Sequence, residues 1–429
     1  MDSGSIIKGQ DEIEGKGEPA TGRHGALALA PTAFVVAVDA TALGIILPLL
    51  PFYSQRLGAT PFMVGALTSV YALCQLVAGP GVGTLSDRYG RRNVLLASQL
   101  GTFAGLVLLA LANSLTLVFL ARIIDGLTSG NISVAHAYAA EHSPPSARKQ
   151  ALGMTSGAIG SGLLIGPALS GLLVPFGHAA PVWAAAGLSL TSILATAVLL
   201  PADHPASEAL FLQRIPERQA ARTMLGMRYA WRLLGLLLVF FVVNAMFMSQ
   251  VGLFLSERFR WDGHPFGARE LGCIFAYAGF VNVIVQGLLI TRVNLFASDR
   301  IVVVSAFACM AAGFLGLAVI AEIGWLAACL TLIIAGSMFV RSTLTAELSR
   351  SAAINRQGMI MGFNQSLMSI ANIAAPLVSG ALIGRGLYTA WAVAIAAIAV
   401  LGAVMAIRLL SSRHTATLAK HAGLASVEA

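Results

Sequence analysis

Asp39 interrupts a long apolar run, Val38-Asp39-Ala40-Thr41-Ala42-Leu43-Gly44-Ile45-Ile46-Leu47-Pro48-Leu49-Leu50-Pro51. A carboxylate at the centre of a membrane helix costs about 2.5–3.5 kcal/mol on insertion scales. A charged partner, a water-filled cavity or protonation offsets that cost, so Asp39 is either half of a structural ion pair or a group that takes up and releases a proton. A second set recurs at helical spacing. Arg122, Asp125, Ser129, Ser133 and His136 are separated by 3, 4, 4 and 3 residues, which places them on one face of a continuous helix. Arg122 and Asp125 stand one turn apart and can pair. Such a pair would leave Asp39 free to titrate; in the alternative, Asp125 itself carries the proton. His136 is read as hydrogen-bonded or wet rather than as a ligand. None of this is covalent chemistry, and neither a catalytic residue nor a metal site nor a cofactor is expected. Gly81-Val82-Gly83 lacks the third glycine of a dinucleotide loop, and no Walker sequence or zinc-binding His/Glu pair occurs.

Neutral polar residues recur in the later apolar runs. Asn244, Gln250, Asn282 and Gln286 lie in the seventh and eighth runs, and Gln365, Ser369, Asn372 and Pro376 share one helical face in the eleventh. With Ser129 and Ser133 they either line a cavity or form interhelical hydrogen bonds, worth about 0.6 kcal/mol each. Arg341, six residues before Glu347, either pairs across helices or snorkels to the interface. Cys74, Cys273, Cys309 and Cys329 fall in apolar runs without metal-ligand spacing and are read as small apolar fillers.

The elements that hold these residues must be membrane helices. The 429 residues are 57% hydrophobic and 11% charged, against about 25% charged in soluble domains. Reading runs against a span of about 20 residues gives twelve, the fourth over 116–140 and the seventh over 231–256. The expected fold is therefore an all-α membrane protein. It has a polar tail over 1–24, a six-helix half over 25–200, a linker over 201–230, a second half over 231–410 and a tail over 411–429. The linker carries Arg214, Arg218, Arg222 and Arg228 and is expected to lie as an amphipathic helix on the membrane. With both termini cytoplasmic, 20 of the 27 Lys and Arg residues fall on the inner side, 5 on the outer side and 2, Arg122 and Arg341, within the membrane. That is the positive-inside asymmetry. It accounts for the net charge of +8 without nucleic-acid binding. The first run follows a tail with Asp11, Glu12, Glu14 and Glu18, shows no cleavage site, and is expected to be kept as a span.

The halves repeat. A shift of 209 residues sets Gly153, Pro167, Ser170 and Gly171 on Gly362, Pro376, Ser379 and Gly380. A shift of 204 sets Gly83, Leu85 and Arg88 on Gly287, Leu289 and Arg292, with Thr291 where Asp87 would fall. Parallel six-helix repeats build a midplane site between them. Glycines such as Gly153, Gly162, Gly166 and Gly171 thin one helix face for close approach, and Pro167 kinks the helix. Generic small-residue packing is the alternative reading of that spacing.

Between the second and third runs stands Gly83-Thr84-Leu85-Ser86-Asp87-Arg88-Tyr89-Gly90-Arg91-Arg92. This spacing resembles the loop between helices 2 and 3 of the major facilitator superfamily. D-A-x-x-x-G-x-x-x-P-x-x-P from Asp39 resembles the first span of its twelve-helix drug:proton antiporters, of the tetracycline-efflux type. R-I-I-D-G-L-T-S-G from Arg122 resembles the family's fourth-span arginine motif, with Asp125 where a neutral residue is commoner. G-x8-G-x3-G-P-x2-S-G from Gly153 resembles its antiporter signature.

The resemblance implies a secondary transporter that exports a small amphipathic compound by alternating access, with protons as the coupling ion. Asp39, Arg122 and Asp125 would form the coupled switch. Gly83, Asp87, Arg88, Gly90, Arg91 and Arg92 would be a gating loop, its aspartate latching onto the start of span 11 near Gly358, with the copy at Gly287 degenerate. From the residues themselves, Gly83 would allow close helix approach, Asp87 would cap a helix N-terminus and the arginines would face anionic headgroups. Spans 3 and 9 hold no acid where tetracycline exporters carry one, so tetracycline is not assigned as cargo. A metabolite, siderophore or metal-complex carrier on the same scaffold, and a non-transporting sensor or assembly subunit, are the alternatives. The expected setting is a monomer in a bacterial inner membrane, its partners the cargo, protons and the lipid bilayer.

Overall fold

The computed structural model describes residues 22–141, 143, 148–201, 228–261, 263–290, 292–293, 297–319, 322–351 and 357–410. Thirteen helices of eight residues or more dominate these residues. They are α1 Gly22–Arg56, α2 Pro61–Tyr89, α3 Arg91–Ala110, α4 Leu115–Thr128, α5 Asn131–Glu141, α6 Arg148–Leu173, α7 Ala180–Leu199, α8 Arg228–Arg258, α9 Ala268–Ile284, α10 Asp299–Val319, α11 Ile323–Arg350, α12 Gln357–Gly384 and α13 Tyr388–Leu409. With α4 and α5 counted as one, twelve segments are long and apolar enough to cross a membrane. A single turn of π-helix, Val285–Leu289, extends α9. The strand pair Arg260–Trp261 with His264–Pro265 turns the chain between α8 and α9. The linker expected to lie on the membrane falls outside the described residues over 202–227.

Local chemistry sets the ends. Thr60 accepts from Met63 N at 3.3 Å with Pro61 in the first turn of α2, and Ser114 accepts from Leu117 N at 3.4 Å ahead of α4. Gly90, at φ 89°, is the single residue between α2 and α3. Only glycine takes that conformation without strain, so the motif first read as a ten-residue loop is mostly helix bent at one point.

The fourth span departs from expectation. It breaks at Ser129–Gly130, where Ser129 turns to ψ 82°. Tyr71 Oη (2.9 Å) and Gln75 Nε2 (2.8 Å), both from α2, hold Ser129 Oγ. Gly130 passes so close to Val82 that a Cβ would stand 2.5 Å from its methyl. The stripe therefore does not share one face: Arg122 and Asp125 lie on α4, Ser133 and His136 on α5, and Ser129 at the break.

Each half has its own core. The largest apolar cluster draws almost wholly on residues 230–410 and is rich in aromatics, with Phe254 at 4.8 Å from Trp391 and Phe247 at 5.3 Å from Phe314. Those of the first half are mainly aliphatic, with Tyr53 and Tyr138 as their buried aromatics. The repeat also appears in paired contacts. Arg92 donates to Ala197 O at 2.6 Å, and Arg300 donates to Ile407 O at 2.7 Å, each closing the last turn of its half's final helix.

The halves meet along two seams, α2 on α12 and α6 on α9. A Cβ on Gly65 would overlap the Pro376 carbonyl; one on Gly272 would stand 3.0 Å from the Pro167 carbonyl and 2.6 Å from Gly171 Cα. Gly380 seats equally close to Pro61 and Phe62, and Ser69 Oγ donates to Ile373 O at 2.7 Å. Gln250, reaching from α8, donates to Pro61 O at 3.0 Å. These contacts gather at the end of the bundle remote from Arg91 and Arg92.

Eighteen residues make five turns of helix, about 27 Å, so Gly83 shares the face of Gly65, Gly153 that of Gly171, and Gly362 that of Gly380. At Gly83, Gly153 and Gly362 nothing lies within 4 Å of an added Cβ, and the same holds at Gly157, Gly160 and Gly287. Both seams are shut at one end and parted at the arginine-rich end. The expected close approach at Gly83 is thus absent in this conformation, because its helix has diverged from α12. Gly272→Val should force α9 off Gly171, while Gly157→Val has open space. Thermal unfolding of the purified protein should fall by several degrees for the first and stay near the parent for the second.

Candidate functional site

Asp39 sits on the side of α1 away from α6. Ala37, Thr41 and Gly44, on the opposite side, form the close contact with Gly162 and Gly166. The approach is tight: a Cβ at Gly162 would stand 2.6 Å from Ala37 O, and one at Gly166 2.5 Å from Thr41 O. These two glycines of the spacing therefore pack α6 within its own half, and Gly171 packs it across the seam. Pro167 is buried inside α6.

The carboxylate of Asp39 accepts from Gln99 Nε2 at 3.2 Å, and the same amide donates to Ser192 Oγ at 2.8 Å. Ser192 and Asn131 also place side chains against the carboxyl. These groups come from α3, α7 and α5 and are all neutral. Among the described residues no cation pairs with Asp39, and a structural ion pair at Asp39 is not what these residues form.

Arg122 and Asp125 make the buried pair, Nη1 to Oδ2 at 3.2 Å, with side-chain exposures of 5% and 8%. Tyr71 lies under the guanidinium at 5.8 Å, and Thr102 reaches Asp125. Gly126 and Gly105 bring α2 and α3 against α4 here: a Cβ on Gly126 would stand 2.7 Å from Tyr71 O, and one on Gly105 3.2 Å from Asp125 Cβ. Arg122 Nε and Nη2 find no acceptor.

The broken span joins the two acids. Ser129 belongs to the Arg122 cluster through Tyr71, and Asn131, two residues on, belongs to the Asp39 cluster. Gln99, Asn131, Tyr71 and Gln75 were not singled out in the sequence. A lone amide or phenol in an apolar run carries no spacing signal, and only the packing shows what it meets. Ser133 is exposed and bonds its own backbone at Gly130 O (3.0 Å), and His136 is partly buried with Nε2 unpartnered.

At the arginine-rich end, Asp87 lies in the last turn of α2 and pairs with Arg91 at 2.7 Å. Arg91 also reaches Glu141 of α5 at 3.1 Å, and Arg88 stacks on Tyr89 at 5.4 Å. Arg91 and Arg92 are therefore engaged by protein groups, where a headgroup-facing role was expected. The second half builds its own cluster: Arg350 meets Asp299 at 3.0 Å and Glu347 at 2.9 Å, and Tyr229 donates to Glu347 at 2.8 Å. Glu347 is thereby occupied and does not pair with Arg341. Thr291, at the degenerate copy, falls outside the described residues.

Of the neutral residues in the second half, Gln286 donates to Asn282 Oδ1 at 2.6 Å and to Met338 Sδ at 3.4 Å. Asn244 and Asn372 are partly buried and Gln365 is exposed; their side chains make no hydrogen bond among the described residues. A cavity of about 400 Å³, lined by Phe52, Arg56, His178, Arg269 and Glu270, lies at the shut end, away from both acids. The described residues hold no cluster of three His, Cys, Asp or Glu that could bind a metal.

Two six-helix halves, two seams related by the repeat and acids inside the first half define a transporter scaffold, and residues 32–376 match the Major Facilitator Superfamily model. The chain belongs to that superfamily. It is a multi-pass membrane transporter, not an enzyme. It is 30% identical over 350 residues to the class G tetracycline resistance protein of Vibrio anguillarum, covering 80% of this chain and 87% of that one. It is 23% identical over 382 residues to the quinolone resistance protein NorA of Staphylococcus aureus, covering 88% and 94%. Among solved structures it resembles the nucleoside transporter NupG, with a TM-score of 0.73 at 13% identity over 90% of this chain and all of that one. That last likeness is one of fold.

Removing either partner of the buried pair leaves an uncompensated charge, at about 3–5 kcal/mol. Arg122→Gln and Asp125→Asn should each lower the unfolding midpoint more than the double variant does. A double-mutant cycle in purified protein checks this; additive losses would show that the two do not act as a pair.

Proposed function

We propose that the chain exports a small amphipathic compound from the cytoplasm by alternating access, driven by protons moving inward. The observation that carries the reading is the pair of seams, shut at one end and parted at the other on the same helix faces. Closing the parted end would bring Gly83 toward the Gly362 face and Gly153 toward Gly287, the copies of the contacts that now shut the opposite end. Glycines in open space on a packing face are what a second, reciprocal state requires. With the arginine-rich end placed in the cytoplasm by the positive-inside asymmetry, the conformation is open inward, in a bacterial inner membrane.

In this reading Asp39 is the proton site. It has a carboxylate without a cation, set on neutral groups and turned away from the cleft, so a proton can be held without contact with cargo. Arg122 and Asp125 form the second member of the switch. The break at Ser129–Gly130 links them, since a shift of α5 moves Asn131 against Asp39 while Ser129 is held to Tyr71 and Gln75. Each inward proton gains about 2.3 kcal/mol per 100 mV, enough for about fiftyfold accumulation before any pH gradient is counted. The names of the relatives, resistance proteins for tetracycline and a quinolone, favour a drug-like cargo. In the bundle this state is held shut on the far side by the seam glycines, and the Asp87–Arg91 pair keeps the α2–α3 corner ready to latch.

Inverted membrane vesicles loaded by respiration test this with a panel of labelled drug-like compounds. Uptake should collapse when ΔpH and voltage are dissipated. Asp39→Asn should abolish proton-driven accumulation while leaving downhill exchange of the same compound. Full accumulation without a proton gradient, or in both Asp39→Asn and Asp125→Asn, would sink the assignment. Gly83→Leu and Gly362→Leu should each hold the cleft open at the arginine-rich end and reduce turnover by about tenfold or more. Their drug binding measured in detergent should stay near the parent.

A further inference from the structure

Arg341 stands nine residues before the end of α11 at Arg350, about 14 Å along the axis. It makes no ion pair or hydrogen bond among the described residues, and the acid nearest in sequence on its own helix, Glu347, is taken by Arg350 and Tyr229. Its side chain is nevertheless exposed. The direction of that exposure follows from the helix. At 100° per residue, Leu332 lies 180° from Arg341 and Trp325 160°, and these are 40% and 62% exposed on the outward face. Ile333 and Gly336 face α10, packing on Gly313 and Ala306. Thr331 and Met338 face α9, through Tyr277 at 2.6 Å and Gln286 at 3.4 Å. Arg341 is one turn beyond Met338 on that inward side.

That side opens on the cleft. Gln286 lies two turns beyond Gly279 on the face of α9 that packs on Leu164 of α6, and it is exposed because the seam has parted there. The π turn Val285–Leu289 falls at this point, and such turns are frequent at functional sites. It sets the Gln286 and Asn282 amides together at 2.6 Å. In the first half, Arg122 is buried against Asp125 and turned from the cleft.

We propose that Arg341, with the amides of Gln286 and Asn282, receives an anionic group of an amphipathic cargo: a carboxylate, sulfonate or phosphate. A guanidinium presents a planar fork of donors that matches such groups in two parallel bonds, and the low-dielectric walls of a membrane cleft strengthen the attraction. The site deepens the export reading, on which it rests for the cleft being the route of the cargo.

The test uses the full chain and two xanthene dyes of similar size, anionic fluorescein and cationic rhodamine 6G. Binding is followed by fluorescence anisotropy in detergent, and energised uptake in inverted vesicles. The parent should bind fluorescein; the ratio of fluorescein to rhodamine 6G affinity should fall about tenfold in Arg341→Gln. It should fall further in Arg341→Glu and be largely kept in Arg341→Lys. An unchanged ratio in the Gln and Glu variants overturns the inference, as does a parent that binds no fluorescein. Repeating the measurement in phosphatidylcholine vesicles with and without phosphatidylglycerol separates the two sources of anion. Dependence on Arg341 only when the anionic lipid is present would assign the guanidinium to headgroups and overturn the site. Arg341-dependent binding without energised uptake of either dye would support the site and sink the export reading alone.

Discussion

Backbone-to-backbone approach at the seams is the constraint on which the rest of this transporter depends. Lipid offers no hydrophobic drive for one half to find the other, so association rests on packing and on the few polar contacts that packing allows. Gly65 against the Pro376 carbonyl and Gly272 against the Pro167 carbonyl are one contact made twice. A side chain at either glycine would prise its seam apart. Ser69 on Ile373 O and Gln250 on Pro61 O add hydrogen bonds only because those glycines let the backbones come so near. The same faces, five turns along, are bare. One sequence repeat thus provides both the contact that is made and the surface on which its counterpart can form.

Charge is distributed to suit that geometry. The buried pair Arg122–Asp125 is neutral as a unit and ties α4 to α2 and α3. Asp39, by contrast, rests on amide and hydroxyl groups from α3, α5 and α7. Between them lies the broken span, where polar side chains from α2 hold Ser129 and regular helix gives way. Discontinuous helices at membrane depth are tolerated where they are buried in protein, and this one is enclosed by α1, α2 and α3. At the arginine-rich end each half closes its own corner with an ion cluster, Arg91 with Asp87 and Glu141, and Arg350 with Asp299 and Glu347. The two clusters are built from different residues of the repeat, yet each sets one arginine between an aspartate and a glutamate.

Much of the scaffold was legible because membrane spans write their length and polarity directly into the chain. The twelve runs, the adjacency of Arg122 and Asp125 and the repeat through Pro167 and Pro376 all follow from spacing along single helices. Other features were not legible. The helical stripe from Arg122 to His136 assumed that periodicity implies continuity, and the contacts of Ser129 with Tyr71 and Gln75 show why it does not. Gly83 has the right residue for close approach, yet its neighbour helix is elsewhere in this conformation. Gln99 and Asn131, which hold Asp39, are ordinary polar residues until the fold sets them around a carboxylate.

By itself the sequence determined the class, the number of spans and the repeat, since hydropathy and residue spacing are written into each helix separately. The tertiary structure decided which partner each polar group meets: that Arg122 belongs to Asp125, that Glu347 belongs to Arg350, and that Arg341 is left facing the cleft. It also decided which end is shut. A helix face carries the same glycines whether or not another helix lies on it, and only the relative position of the two halves, a long-range property of many contacts, selects the end at which they touch.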